Sequence, residues 1–368
     1  MHTSNRAVDP PVIERRDLIK LCLMAAAAVG LPASVGAKIA QAAKAGLRPS
    51  VIWLHFQECT GCTESLLRSS HPDLGELILN LISLDYHETL CAAAGHQAED
   101  VFQAAMKEKA GKYILVIEGA IPTKQDGIYC KIGGRTAVEI VKEAAAQAGA
   151  VVAIGSCASF GGIAAADPNP TGAQGAPAML EGKKVVTIPG CPPNPYNFLG
   201  TALQYAVYGT LPTLDTKGRP LFAYGRTIHE HCPRRPHFDA GRFAEKFGDE
   251  AHRQAFCLYK LGCKGPQTYA NCSTLRFGEV GMWPVRAGHP CVGCTEQSLA
   301  FRVPIHQTVD IPRPTPSDSF APIHARDEGI NPVAVGVAGL AVGALLGAGA
   351  MASRKLNPAR VPDKEEKP

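Results

Sequence analysis

With 368 residues the chain is too long for one small domain, and a hydrophobic share of 46% is enough to build a sizeable core. A net charge of +4 is mild, and no long basic run lies outside the termini, so the composition excludes a nucleic-acid partner.

Residues 1–42 read as a targeting segment. Arg15 and Arg16 open an RR-x-x-x-K pattern that Lys20 closes, an uncharged Ala/Leu-rich stretch runs on to Lys38, and Ala40-Gln41-Ala42 offers small residues for cleavage. This is the form of a twin-arginine signal; an amphipathic N-terminal helix is the competing reading. The twin-arginine route exports proteins already folded, usually because a cofactor was inserted in the cytoplasm.

Residues 50–215 alternate short β-rich runs with helical stretches. "VIWLHF" (51–56), "YILVIEGA" (113–120), "AVVAIGS" (150–156) and "KVVTIPG" (184–190) are near-continuous apolar runs, as strands buried on both faces should be. "TAVEIVKEAAAQAG" (136–149) is a helix candidate between two of them. The alternation predicts an α/β fold with a flavodoxin-like, doubly wound parallel sheet, in which ligands gather outside the carboxyl ends of the strands. Cys59 and Cys62 follow the first run, Cys157 the third and Cys191 the fourth, so these thiols converge on one edge of the sheet.

Residues 216–315 lose the alternation. "HEHCPRRPHF", "CLYKLGC", "NCS" and "HPCVGC" follow one another in a Pro- and Gly-rich stretch with little apolar core of its own, which metal–thiolate bonds would hold. A Pro-rich linker is predicted over 316–332. Residues 333–352, "VAVGVAGLAVGALLGAGAMA", carry no charge and would span roughly 30 Å as a helix, the thickness of a bilayer core. Arg354, Lys355 and Arg360 lie beyond it, which predicts a cytoplasmic tail at 353–368 and an external body. Gly339, Gly343 and Gly347 recur every fourth residue, a spacing suited to close packing against another membrane helix.

The chain has thirteen cysteines, one of which, Cys22, leaves with the signal. The candidate ligands fall into three groups by position: Cys59, Cys62, Cys157 and Cys191; His229, Cys232, Cys257 and Cys263; and Cys272, Cys291 and Cys294. Structural zinc could explain either four-ligand group but explains the third poorly, because closed zinc sites take four ligands. An iron–sulfur cubane lacking one iron takes three. Where a fourth thiolate might stand, "GMWPVRAG" offers Pro284, which cannot ligate. Cys91 and Cys130 are expected to be small buried hydrophobes. Glu58 and Glu118 flank the first group, either as solvated carboxylates or in a tuning or proton-relay role.

Taken together, "ECTGCTES", "EGAIP", "GSCASFGG", "PGCPPNP", the H-x-x-C before "PRR", "CLYKLGC" and "HPCVGCTE" resemble the small subunit of membrane-bound, periplasmic nickel–iron hydrogenases over essentially the whole chain. The resemblance implies two 4Fe-4S clusters and one 3Fe-4S cluster in a row. Cys59, Cys62, Cys157 and Cys191 would hold the proximal 4Fe-4S cluster, Cys272, Cys291 and Cys294 the medial 3Fe-4S cluster, and His229, Cys232, Cys257 and Cys263 the distal 4Fe-4S cluster. The family's H-x-x-C spacing selects His229 over His231.

The resemblance further implies an electron-transfer subunit of an uptake hydrogenase, an H2:acceptor oxidoreductase. This chain would carry no catalytic residue, because the nickel–iron centre sits in a large-subunit partner. Electrons would leave to a membrane acceptor, a b-type cytochrome or another membrane redox subunit, at the periplasmic face of the inner membrane. Oxygen-tolerant relatives carry extra cysteines where this chain has Gly61 and Gly162, which implies a conventional proximal cluster and oxygen-sensitive turnover. The rival readings are an exported zinc-stabilised binding module, a relative of the cluster-bearing subunit of NADH–quinone reductase, and a freestanding ferredoxin-like carrier.

Overall fold

The computed structural model describes residues 48–70, 73–77, 81–275 and 281–311. The predicted signal (1–42), linker (316–332), membrane helix (333–352) and tail (353–368) lie outside the described residues. Among those described, no helix is long and apolar enough to cross a membrane.

The first strand, β1 (Ser50–His55), is buried along its whole length and leads into α1 (Gly61–Leu67). Next come β2 (Ser83–His87), α2 (His96–Glu108) and β3 (Ile114–Glu118). A small antiparallel hairpin, β4 (Lys131–Ile132) with β5 (Arg135–Thr136), precedes α3 (Ala137–Gln147). Thr136 caps α3: its hydroxyl accepts from the Glu139 amide while the Glu139 carboxylate accepts from the Thr136 amide, at 3.3 and 2.8 Å. Then follow β6 (Ala150–Ile154), α4 (Gly155–Phe160), β7 (Val185–Ile188) and α5 (Pro195–Tyr208). Pro195 at the first turn, the Asn194 cap and Gly209 in the left-handed region bound α5 at both ends.

The sheet order is β2-β1-β3-β6-β7, with every neighbouring pair parallel. Setting the hairpin aside, this is the doubly wound 2-1-3-4-5 order, whose switch point lies between β1 and β3. Side chains alternate between two apolar layers. Val51, Trp53, Ile114, Val116, Val152 and Val186 face one way; Ile52, Leu54, Leu115, Ile117, Val151 and Ala153 face the other. Helices α2 and α3 cover the second layer through Phe102, Met106, Ile140 and Val141.

The first layer is covered by α5 and by the irregular C-terminal half. Ile228, Leu258, Trp283 and Val285 share one buried cluster with Trp53 and Phe198. The C-terminal half therefore borrows a core from the sheet, and metal need not be its sole support. Cys91 and Cys130 are half-buried rather than buried, both as free thiols beside the second layer. The Cys91 sulfur accepts a hydrogen bond from the His87 amide at 3.2 Å, which draws it out toward the strand end.

Candidate metal centres

Cys59 lies in the loop after β1, and Cys62 sits in the first turn of α1. Thr60, at φ 60°, takes the left-handed turn between them. Cys157 lies in α4, and Cys191 follows β7. Space among these thiols is kept by missing side chains. A Cβ at Gly162 would fall 2.7 Å from Cys157 Sγ, and one at Gly155 would overlap Cys62 Sγ. Cys59 and Cys191 are exposed, whereas Cys62 and Cys157 are half-buried.

Beneath this edge lies Glu118, the last residue of β3 and 1% exposed. Its carboxylate accepts from the amides of Cys62 (3.0 Å) and Thr63 (3.2 Å), the Thr63 hydroxyl (2.6 Å) and Trp53 Nε1 (3.0 Å). A carboxylate at the start of α1 meets free helix amides, so it fastens the loop carrying Cys59 and Cys62 to the centre of the sheet. The solvated alternative for Glu118 is thereby overturned.

Glu58, half-buried, has its pKa raised first by burial and then by Glu118. Its Oε1 lies 3.4 Å from His55 Nδ1, and His55 Nε2 lies 3.4 Å from His87 Nε2. His87 is buried and held neutral, its pKa lowered to about 3 chiefly by burial and secondarily by His55. A base whose folded pKa lies below its unfolded value of 6.5 contributes stability above that value and loses it as pH falls toward 3. Denaturant unfolding between pH 7 and pH 4 should therefore show falling stability, with a shallower slope in His87→Gln; an unchanged slope would remove His87 from this account.

Cys272, Cys291 and Cys294 line a cavity of about 300 Å³ with Trp283 and Pro284. Pro284 thus stands on the wall of this cavity and offers no thiolate there. Cys191 lines the same cavity from the sheet side. His229, Cys232, Cys257 and Cys263 line a second, smaller pocket together with Arg234. His229 is buried edge-on against Phe238, with ring centroids 4.5 Å apart, and its Nε2 has no hydrogen-bond partner. Burial, with Arg235 nearby, lowers its pKa to about 4, so the ring is neutral and can offer a nitrogen lone pair to a metal. His231 Nε2 instead lies 3.2 Å from Arg226 Nη1.

Backbone amides connect the groups. The Lys264 amide, next to Cys263, donates to the Cys291 carbonyl at 2.8 Å, and Cys191 shares its cavity with Cys294. Ser156 Oγ adds a further link, donating to the Cys294 carbonyl at 2.5 Å and accepting from the Gly190 amide at 3.0 Å. Sequence reasoning passed over Ser156, because no local pattern marks a serine whose partner lies 138 positions away.

Apart from the exposed Cys59 and Cys191, the candidate ligand thiols are withdrawn from solvent. Burial, reinforced by neighbouring sulfurs, pushes Cys232, Cys257 and Cys272 up to about 12 and Cys62 and Cys291 well above their usual value. Such groups become thiolates only when a bound cation supplies the missing positive charge. The unpartnered ring nitrogen of His229, the glycine gaps and these reluctant thiols all fit metal binding. An α/β sheet whose carboxyl edge opens onto a line of buried cysteines defines a metal–thiolate protein.

Comparison with known proteins makes the class specific. A family model described as "NADH ubiquinone oxidoreductase, 20 Kd subunit" matches residues 59–205. A second, described as the C-terminal part of the "NiFe/NiFeSe hydrogenase small subunit", matches residues 224–306. The chain is 51% identical over 358 residues to the "Hydrogenase-2 small chain" of Escherichia coli (strain K12), covering 97% of this chain and 96% of that one. It is 49% identical over 286 residues to the "Quinone-reactive Ni/Fe-hydrogenase small chain" of Wolinella succinogenes, covering 77% and 80%. Among solved structures, that of a reduced, active nickel–iron–selenium hydrogenase from Desulfomicrobium baculatum superposes with a TM-score of 0.64 at 37% identity, covering 68% of this chain and 94% of that one.

The chain belongs to the small-subunit family of nickel–iron hydrogenases. It is the non-catalytic partner of a hydrogenase large subunit.

Proposed function

We propose that this chain conducts electrons from hydrogen oxidation in the large subunit through three iron–sulfur clusters to a membrane acceptor. In this reading Cys59, Cys62, Cys157 and Cys191 hold a proximal 4Fe-4S cluster. Cys272, Cys291 and Cys294 hold a medial 3Fe-4S cluster, and His229, Cys232, Cys257 and Cys263 hold a distal 4Fe-4S cluster. The observation that carries it is adjacency: Cys191 lines the cavity of Cys272, Cys291 and Cys294, and the Lys264 amide, next to Cys263, donates to the Cys291 carbonyl at 2.8 Å. Each contact brings a ligand of one set up to the next.

Bound iron–sulfur clusters would accept and pass single electrons. The chain's own residues do the rest. Glu118 fixes the entry loop, and Trp283 and Pro284 give the medial cavity a wall that carries no thiolate. Neutral His229 gives the distal set one negative charge fewer than four thiolates would, which favours its reduction. The large subunit would cover the edge where Cys59 and Cys191 are exposed. Leu90, Ile128, Tyr129 and Ile163, in loops leaving the carboxyl ends of the sheet, expose apolar surface suited to such a partner.

The twin-arginine pattern and the uncharged stretch at 333–352 support export and anchoring at the periplasmic face of the membrane. The 49%-identical relative named as quinone-reactive supports a membrane acceptor. The proposed division is a flavodoxin-like domain at 50–215, a cluster domain at 216–315, a linker at 316–332, a membrane helix at 333–352 and a tail at 353–368.

Iron and acid-labile sulfide analysis with EPR on the membrane-extracted complex tests the reading. A brown complex with iron for two 4Fe-4S clusters and one 3Fe-4S cluster, beside a nickel-containing chain, is the expected result. Colourless protein holding zinc would overturn it.

A further inference from the structure

Lys264 is completely buried, among the largest side chains fully withdrawn from solvent, and none of the cluster assignments uses it. Its Nζ donates to the carbonyls of Pro304 and Ile305 at 2.8 and 3.0 Å. No carboxylate pairs with it among the described residues. Its backbone lies between two ligand sets: the residue before it is Cys263, and its own amide donates to the Cys291 carbonyl at 2.8 Å. Two other buried cations lie beside the distal set: Arg234 faces Cys232, Cys257 and Cys263, and Arg235 pairs with Asp239 at 2.8 Å.

A buried ammonium without a counter-ion costs several kcal/mol, and carbonyl dipoles offset only part of that cost. The nearest ligand candidates along the chain and across this backbone bond are Cys263 and Cys291, whose sulfurs favour the charged form of Lys264. These belong to different sets, one medial and one distal. Ligated as thiolates, both would supply the missing charge. In a dry interior the attraction is mutual, and a fixed positive charge favours whichever cluster state carries the extra electron.

We infer that Lys264 is a positioning residue that raises the reduction potentials of the medial and distal clusters together, held in place by its grip on the strap at Pro304–Ile305. The inference rests on the cluster assignment proposed above. Arg234 differs in reach, since it faces the distal set alone. Lys264 acts on both sites because it sits at their junction.

The test is a potentiometric EPR titration of the purified heterodimer of small and large subunits with Lys264→Met in the small one. Both medial and distal one-electron equilibria should shift toward the oxidised state about tenfold, equivalent to ~59 mV for a one-electron couple, while the proximal one stays put. Lys264→Arg keeps the charge and should hold both potentials near those of the parent heterodimer. Where Lys264→Met does not accumulate, Lys264→Gln, with amide donors for the strap carbonyls, takes its place.

Loaded clusters with unmoved potentials in the neutral variants would overturn the inference, as would an equal shift in Lys264→Arg. A purely structural lysine would loosen residues 304–310 to proteolysis and leave the potentials alone. Parent heterodimer lacking iron and sulfide would instead overturn the cluster assignment itself, so the two failures are distinguishable.

Discussion

Glu118→Ala is expected to destabilise the chain by roughly 3–5 kcal/mol, because it leaves several buried donors without an acceptor at once. Those donors are the Cys62 and Thr63 amides, the Thr63 hydroxyl and Trp53 Nε1, all within 3.2 Å of the carboxylate in the folded chain. The loss also removes negative charge from the start of α1, where the helix amides point. Damage should concentrate in the loop carrying Cys59 and Cys62, so iron at the proximal set should fall with stability. Glu118→Gln keeps one acceptor oxygen but turns an amide N–H₂ toward the other donors, and should lie between parent and alanine variant. Denaturant unfolding measures the first effect and iron content the second. An alanine variant within about 1 kcal/mol of the parent would show that the donors find other partners, water included.

The second large effect is expected at His229. Replacing it with Ala should abolish or alter the distal EPR signal and slow electron delivery to an external acceptor roughly 10–100-fold, the range typical of disturbed metal coordination. Hydrogen–deuterium exchange in the large subunit should survive, since that chemistry needs no exit for electrons. The physical ground is the unpartnered Nε2, buried and neutral, at the pocket shared with Cys232, Cys257 and Cys263. His231→Ala is the control: its ring lies against Arg226, and its loss should leave the distal signal intact. His229→Cys would restore four thiolates, adding a negative charge and lowering the distal potential. An unaltered distal spectrum in His229→Ala would move the imidazole role elsewhere.

The central strands were legible because strands covered on both faces are apolar at almost every position. "VIWLHF" and "AVVAIGS" therefore announce β1 and β6 directly. The strand β2, "SLDYH", escaped notice for the converse reason. It is an edge strand with one neighbour, its first residues are half-buried, and Ser83 and Asp85 break the apolar run. Helix α3 was visible as the stretch between two strand runs, and the fold trims it to Ala137–Gln147 because Gly149 packs against the Gly111 backbone. Glu118 could be flagged by its place in "EGAIP", yet nothing local showed that it would face the first turn of α1.

Cysteine spacing and apolar strand runs are local properties, written within a few residues by chirality and by the geometry of single elements, and these could be read from the chain alone. They carried the parallel α/β class and the candidate ligand groups. Which group touches which was decided by folding. Cys191 shares a cavity with Cys294, and the Cys291 carbonyl meets the amide after Cys263, only because the C-terminal half lies down on the Trp53 face of the sheet and buries Trp283 and Val285 there. Lys264 looks like any surface lysine in "GCKGP" until that packing encloses it. Contacts between distant segments depend on the shape and dryness of the surface they share, and that surface exists only after the sheet has formed.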